Sequence, residues 1–183
     1  MKKITLSILM FASSLMANAQ IFGGEGTRNI SLEFFGAHNT IGLNYDARLK
    51  GNDGWGYRAG IGYTYAWSSG LFKGSSTIKG VSVPVEINYL LGKKKSKLEL
   101  GFGANVGYYE EEYDYYLWPD YSKKYRYEHN SIGYFFFGNV GYRLQPTRGF
   151  VFRVGVTPSF NFGDSHGISR SFFYPYISFG WAF

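Results

Sequence analysis

The residues best suited to acid–base chemistry are three histidines, which all fall in or beside predicted surface connections: His38, His129 and His166. His129 stands two residues before Ser131, but a hydroxyl and an imidazole act as a nucleophilic pair only when a carboxylate orients the imidazole. No acidic residue follows Ser131 until Asp164. Asp164 is adjacent to Ser165 and His166, yet neighbours in sequence do not automatically converge. We therefore predict no catalytic residues and no enzymatic activity.

The composition excludes other chemistry. The 183 residues include 25 Gly, 17 Tyr and 17 Phe but no Cys. Without Cys there is no disulfide framework, thiolate zinc site, cysteine nucleophile or lipid-modified N-terminal Cys. The formal net charge of +6 is too small to indicate a nucleic-acid-binding protein. No metal and no cofactor is predicted, and the excess of Gly and aromatic residues favours strands over a helical bundle.

The first 19 residues have the features of a secretory signal peptide. Lys2 and Lys3 precede an apolar run, 4–17, and Ala17-Asn18-Ala19 supplies a small-x-small cleavage site. The run is shorter than the ~20 residues of a spanning helix. We predict cleavage after Ala19, export, and a single domain over residues 20–183.

The rest of the chain alternates between apolar and polar residues with a period of two, which predicts strands. In the last segment Ile177, Phe179 and Trp181 lie on one face, with Ser178 and Gly180 on the other. Eight segments follow this pattern: 29–36, 41–49, 55–67, 81–91, 98–109, 132–144, 150–162 and 173–183.

Strand length and connection length together indicate a transmembrane barrel. A tilted strand crosses a bilayer in about ten residues, and lipid cannot satisfy an open sheet edge. The connections 50–54, 92–96 and 145–149 are short, whereas 68–80, 110–130 and 163–171 are long and only 37–39 is tight at that end. We predict an all-β fold, an eight-stranded antiparallel up-and-down barrel with its short turns in the periplasm.

The charged residues decide which face is buried. A soluble exported β-barrel, such as a lipocalin-like one, would carry its charges outside. Here the apolar faces contain no ionised side chain, and the opposite faces carry four carboxylates and four guanidinium groups: Glu33, Asp46, Glu86, Glu99, Arg48, Arg58, Arg143 and Arg153. The sequence therefore predicts an inverted barrel with a charged lumen and an apolar outer surface in contact with lipid.

Together these features resemble the small outer-membrane barrels of the OmpA and OmpX architecture, over residues 29–183. The final strand, with Phe179, Trp181 and Phe183, resembles the assembly signal of such barrels. The resemblance implies insertion by the barrel-assembly machinery, a lipid-embedded monomer and a cell-surface location. No peptidoglycan-binding domain follows Phe183, so a cell-wall tether is not expected. His129-Asn130-Ser131 resembles the His-x-Ser element of outer-membrane lipid A deacylases, which leaves a lipid A-modifying enzyme as an alternative.

The predicted lumen is formally neutral and contains no Lys. An eight-stranded barrel is just wide enough for side chains to fill, and buried charges are tolerated only when paired. Arg can bind carboxylates bidentately, while inward Gly residues leave room for its side chain. We predict a closed polar plug; a narrow ion or small-solute channel is the alternative interpretation.

The longest connection, 110–130, carries a formal charge of −3 and many aromatic residues. Tyr and Trp provide large contact areas at low entropic cost, which suits recognition of an extracellular protein or glycan. An acidic cluster also attracts divalent cations, although the spacing is not that of an EF-hand. A solvated extension of the hairpin explains the same composition. The binding candidates are Tyr113, Tyr115, Tyr116, Trp118 and Tyr121.

Three prolines interrupt predicted strands, because each removes a donor from the ladder. We expect bulges or strand ends at Pro84, Pro158 and Pro175, and a possible shift of facing by one residue beyond them. The basic turn at Lys93, Lys94, Lys95 and Lys97 is predicted to lie beside phospholipid headgroups rather than to bind nucleic acid.

Overall fold

The computed structural model describes residues 27–68, 76–92, 94–116, 124–160 and 174–183. The predicted signal peptide lies outside these residues. The elements are β1 (Arg28–Phe35), a short 3-10 helix η1 (Gly36–His38), β2 (Ile41–Arg48), β3 (Gly54–Ser68), β4 (Ser76–Leu91), β5 (Ser96–Tyr116), β6 (Lys124–Leu144), β7 (Gly149–Thr157), β8 (Ser159–Phe160) and β9 (Tyr174–Ala182). No helix in this described part is long and apolar enough to span a membrane.

The strands form one closed antiparallel barrel. Each strand pairs with its neighbours in the chain from β1 to β6, and β5 pairs with β6 over the whole length of both. β6 then pairs with β7 and β8, β7 with β9, and β9 with β1. Because β7 and β8 pair with β6 in one register, they are two parts of a single barrel strand. We call each of the eight strand positions around the barrel a stave. The predicted eight-stranded up-and-down barrel is confirmed.

Alternation along each strand separates an inward from an outward face. In β9, Ser178 and Ala182 are buried, whereas Phe179 and Trp181 are exposed on the outside. In β5, Glu99 and Asn105 are buried while Phe102 is exposed. This is the pattern expected when one side chain in two points into the barrel.

The connections differ in length at the two ends. Residues 49–53, 92–95 and 145–148 link consecutive strands at what we call the turn end. Positive φ at Gly92 (134°) and Gly149 (115°) allows the chain to reverse there. At the opposite end, β5 and β6 continue to Tyr116 and Lys124, well beyond the predicted limits of 109 and 132. They form a hairpin that extends past the other strands.

The prolines do not shift the facing of the residues beyond them by one position, and that part of the prediction is wrong. Pro84 lies inside β4 and stays paired with Asn105 of β5. On the β3 side, the ladder lacks only the two residue pairs that lie between Ala59–Val85 and Gly62–Ser82. The expected bulge or strand end is therefore wrong at Pro84. At Pro158 the strand breaks between β7 and β8, and Gly138 N donates to the Pro158 carbonyl (2.8 Å). Pro175 stands at the beginning of β9.

Candidate functional site in the barrel interior

The structure places all eight charged residues of the predicted lumen inside the barrel. The exposed fraction is 5% or less for each of them. They come from seven strands: Glu33 from β1, Asp46 and Arg48 from β2, Arg58 from β3, Glu86 from β4, Glu99 from β5, Arg143 from β6 and Arg153 from β7. Since distant parts of the sequence meet here, closure of the barrel is required to form the site.

The eight residues form one chain of ion pairs in which the charges alternate. Its order is Glu86, Arg58, Glu33, Arg153, Glu99, Arg143, Asp46 and Arg48. Every internal member contacts two partners of the opposite charge. This alternation offsets the cost of removing so many charges from water, which single buried ions would not do.

Arg143 and Asp46 form the most extensive contact of this charge chain. Arg143 donates from Nη2 to Asp46 Oδ1 (2.7 Å) and from Nη1 to Asp46 Oδ2 (2.9 Å). Its Nη1 also donates to Glu99 Oε1 (3.0 Å), and its Nε to Gln145 Oε1 (2.8 Å). The planar guanidinium therefore joins β6 to β2 and β5 bidentately, a geometry that Lys cannot reproduce.

Arg153 connects the two halves of the charge chain. Its Nε donates to Glu99 Oε2 (2.7 Å) and its Nη1 to Glu33 Oε2 (3.0 Å). The guanidinium carbon also lies 5.1 Å from the centre of the Tyr176 ring, which comes from β9. This cation–π contact brings the remaining stave into the network.

Neutral amides add further hydrogen bonds to the carboxylates that the arginines bind. Asn88 Nδ2 donates to Asp46 Oδ2 (3.1 Å) and Glu99 Oε1 (3.3 Å), and Asn139 Nδ2 donates to Glu86 Oε1 (3.0 Å). Asn88 also accepts a hydrogen bond from Arg48. The interior is thus a fixed polar network rather than a row of independent salt bridges.

The sequence prediction of a lumen without Lys is wrong. Lys97 lies inside the turn end with its side chain 2% exposed. Its Nζ donates to the Gly92 carbonyl (3.0 Å) and lies 4.0 Å from Asp53 Oδ2. β5 begins two residues earlier than the segment identified from the sequence, so Lys97 joins the inward face that Glu99 occupies. Glu111, near the other end of β5, is buried as well.

The connection between β1 and β2 folds into the barrel instead of lying on its surface. Gly36, Ala37 and His38 are all buried, and His38 is 0% exposed. Ala37 packs with the inward rings of Phe135 and Phe137. The sequence predicts a surface position for His38, because a tight turn at a strand end is normally solvated, and this prediction is wrong. No period-two pattern signals that such a turn enters the lumen.

The surface-loop candidates are only partly within the described structure. Tyr113, Tyr115 and Tyr116 belong to β5, but their side chains, like the whole of Trp118 and Tyr121, lie outside the described part. The described base of the hairpin carries an ion-pair cluster on its outer face. Lys79 Nζ lies 3.0 Å from Glu112 Oε1, and Arg126 Nη1 lies 3.6 Å from Glu112 Oε2.

The structure also bears on the catalytic candidates. The register pairs His129 of β6 with Glu111 of β5, and Ser131 stands two residues further along β6 on the same face. A carboxylate is therefore placed across from the imidazole, which the order of residues along the chain had hidden. The structure arranges no group of three or more His, Asp or Glu side chains to hold a metal ion within its described residues.

Comparison with known proteins gives structural neighbours only. No family model and no curated protein matches the sequence. The N-terminal barrel domain of Pseudomonas aeruginosa OprF is 8% identical with a TM-score of 0.46, covering 86% of this chain and 96% of that one. The attachment invasion locus protein Ail of Yersinia pestis is 11% identical with a TM-score of 0.45, covering 86% and 97%.

A second structure of Ail, in complex with the heparin analogue sucrose octasulfate, gives a TM-score of 0.44 at 11% identity, covering 86% of this chain and 99% of that one. This chain is similar to these barrels in outline. Since the scores lie below one half, no role is transferred from the neighbours, and the function is inferred from the chain's own residues.

Proposed function

We propose that the protein is an integral outer-membrane β-barrel with a closed polar lumen, which serves a structural or surface-interaction role through its extended hairpin. The observation that carries this proposal is the inverted distribution of polarity. The eight-residue charge chain is buried inside, while large apolar side chains such as Trp55 (57%), Ile87 (62%) and Trp181 (60%) are exposed outside. Lipid is the solvent that suits such a surface.

The edge of the apolar band is visible in the strand register. Val81, Tyr108 and Ile132 lie side by side in one outward row across β4, β5 and β6. The next outward row, nearer the hairpin tip, contains Lys79, Glu110 and Asn130. Such a step from apolar to charged residues is expected where strands leave hydrocarbon for the headgroup region. The hairpin then projects into the aqueous phase.

The apolar outer face of the barrel also indicates which partners it contacts, namely outer-membrane lipid and the barrel-assembly machinery. Phe179, Trp181 and Phe183 are each more than 40% exposed on the outer side of the last stave, where lipid and the barrel-assembly machinery would meet them. We propose that the mature protein is a monomer, with outer-membrane lipid around it, and that its signal peptide is removed on export. No part of the proposed role is catalytic.

The interior supports a closed lumen rather than a channel. The charge chain spans the lumen, since Arg143 of β6 pairs with Asp46 on the opposite side of the barrel, and the inward η1 turn fills the lumen nearer the hairpin end. We expect the purified barrel to show no stable conductance in a planar lipid bilayer. A steady ion-selective conductance that disappears in the Arg58→Ala variant would instead support the narrow-channel alternative.

The surface-interaction role is tested by shortening the hairpin. Because the register pairs Glu110 with Asn130, residues 111–129 can be replaced by a two-residue turn while the staves below keep their pairing. Photoreactive residues at Tyr115 and Tyr127 of the unshortened hairpin are expected to cross-link an extracellular protein or glycan in living cells, and the shortened barrel is expected to lose binding of that partner. The same label at Ile132, in the apolar band, is the matched control. Absence of any product in a folded barrel would contradict the interaction role and leave a structural one.

A lipid A-modifying enzyme is a second candidate, favoured by the pairing of Glu111 with His129 beside Ser131. An imidazole oriented by a carboxylate is what a serine nucleophile requires. Mass spectrometry of lipid A from cells with and without the protein separates the two candidates. A mass change that the His129→Ala variant abolishes would establish the enzyme and overturn the proposed non-catalytic role.

A further inference from the structure

The inward turn is held in the lumen by hydrogen bonds from three different strands. Asn105 of β5 donates from Nδ2 to the Ala37 carbonyl (2.5 Å), and Thr64 of β3 donates from Oγ1 to the His38 carbonyl (3.3 Å). The His38 ring contacts Asn44 of β2, with Nε2 2.9 Å from Asn44 Oδ1. The barrel therefore contains a polar recess in which its own β1–β2 turn is the occupant.

The amide of Asn44 fixes which imidazole nitrogen carries the proton. Asn44 Nδ2 donates to Glu33 Oε2 (3.5 Å), so Oδ1 is turned toward His38 and accepts from Nε2–H. The other nitrogen, Nδ1, is buried without a hydrogen-bond partner. It lies against Gly42 and Gly62, where a side chain larger than hydrogen would overlap the ring. The recess thus fits a neutral imidazole with one donor.

We infer that η1 is a proton-sensitive plug, which occupies the recess while His38 is neutral and withdraws when His38 is protonated. Protonation turns Nδ1 into a second donor at a place where no described residue accepts a hydrogen bond from it. A buried donor without a partner is unfavourable, and a buried charge more so. An exposed imidazole has a pKa of about 6.5, and water both accepts its second hydrogen bond and solvates its charge. The withdrawn state therefore gains population as the pH falls below that value.

The surrounding charges do not provide the missing acceptor. Glu33 Oε1 lies 3.9 Å from His38 Nε2, the nitrogen that already has a partner. Arg58 and Arg153 also pair with Glu33 through its Oε2, so that its charge is already shared between two guanidinium groups. Tyr176 of β9, which lies against Gly36, has a phenol that is neutral in this pH range.

The backbone allows the turn to move without unpairing β1 from β2. The residue ladder between them ends at Phe34 and Ile41, and one further hydrogen bond, from Phe35 N to the Thr40 carbonyl (2.9 Å), closes the base of the turn without involving η1 itself. Phe35 (φ 64°) and Asn39 (φ 63°) flank η1 in a region of φ that residues other than Gly rarely adopt. These two positions store conformational strain that an outward turn would relieve. They are the hinges we assign to the motion.

Withdrawal would open a recess lined by Asn44, Thr64, Ser82 and Asn105, all buried in the plugged state. The charge chain below it stays intact, so the recess is expected to be a pocket and not a pore. That the pocket opens to the cell exterior rests on the proposed function. The movement itself does not, since it can be measured in detergent micelles.

The test uses a single thiol in a chain that has no Cys. Ala37→Cys places the thiol in the plug, and Asn130→Cys, on the exposed outer face, is the matched control. The labelling rate of Cys at 37 by a bulky polar maleimide is divided by that of Cys at 130 at each pH, which cancels the intrinsic pH dependence of the thiol. We expect this ratio to rise by about tenfold between pH 7.5 and pH 5, and to stay constant when His38→Gln is added.

Hydrogen exchange of the unaltered barrel is the second measurement, in case Ala37→Cys does not fold. After correction for intrinsic rates, exchange in residues 35–41 is expected to rise at pH 5 while that of β5 and β6 stays constant. A ratio and an exchange rate that do not change with pH in the folded barrel would overturn the proposal. So would a pH response that persists in His38→Gln, because the proton would then act elsewhere.

Discussion

Replacing Arg143 with alanine is expected to lower the free energy of unfolding by about 3–5 kcal/mol, the cost of leaving buried charges without their partner. Arg143 is fully buried and holds Asp46 through two hydrogen bonds and Glu99 through one. Its loss leaves Asp46 with only Arg48 as an ion-pair partner and removes the link between the two ends of the charge chain. Urea unfolding in lipid vesicles, followed by tryptophan fluorescence, measures the effect.

The matched control is Arg148→Ala, which removes the same side chain from an exposed position in the turn 145–148. Its effect is expected to stay within about 0.5 kcal/mol, as for most surface substitutions. If the two variants unfolded at the same urea concentration, the charge chain would contribute nothing to holding the staves together. The closed interior would then need another explanation.

Replacing Val85 with arginine is expected to destabilise the barrel in lipid by about 2–4 kcal/mol, the cost of a charge on the lipid-facing side near the bilayer midplane. Val85 is 44% exposed on the outer face of β4, in a row with Ala59 and Ala104. This row lies inside the apolar band, between Ile87 and Val83. The same urea titration gives the change, and the gel mobility of unheated samples shows whether the variant still inserts.

Asn130→Arg is the control for this substitution, because it adds the same charge to the outer face beyond the row of Val81, Tyr108 and Ile132. A change of about 0–1 kcal/mol is expected there, since the side chain reaches the aqueous boundary. A Val85→Arg variant as stable as Asn130→Arg would show that the outer face does not lie in hydrocarbon.

Within the eight predicted segments, period-two alternation predicts which residues face inward, because the pleat leaves each strand only two choices. Because Glu99 and Arg143 both fall on the inward faces of their segments, the pattern also predicts that opposite charges share the barrel interior. The sequence does not predict which Arg pairs with which carboxylate, because the pairing depends on the stagger between strands, which no local pattern encodes. The bidentate contact of Arg143 with Asp46, 97 positions apart, is an example.

Two features of the interior, Lys97 and the inward η1 turn, could not be predicted from the sequence. The sequence predicts a solvated position for Lys97 because it closely follows three other Lys residues, yet its amine reaches the Gly92 carbonyl from inside the barrel. The inward path of η1 depends on room made by Gly42 and Gly62, which belong to other strands. Such a fit exists only after the barrel closes. A sequence with Gly at those positions is equally compatible with an empty recess.

The two levels of the interior have different physical properties. The charge chain is fixed by many mutual hydrogen bonds and resists rearrangement, because any member that moves leaves a buried charge behind. The η1 turn lies outside the sheet, and hydrogen bonds from three strands hold it in the lumen. A rigid seal and a movable plug in one barrel would keep the membrane tight while the outer end responds to its surroundings.

The central claim, that a lipid-facing band surrounds a closed charged interior, is tested most directly by spin labels on single Cys variants in lipid vesicles. Labels at Ile87 and Val106, in the apolar band, are expected to collide more often with oxygen than with a polar nickel chelate. A label at Asn130 should show the reverse preference, since it lies beyond the band. Ready access of the nickel chelate to the labels at Ile87 and Val106 would contradict the account, because the outer face would then be in water.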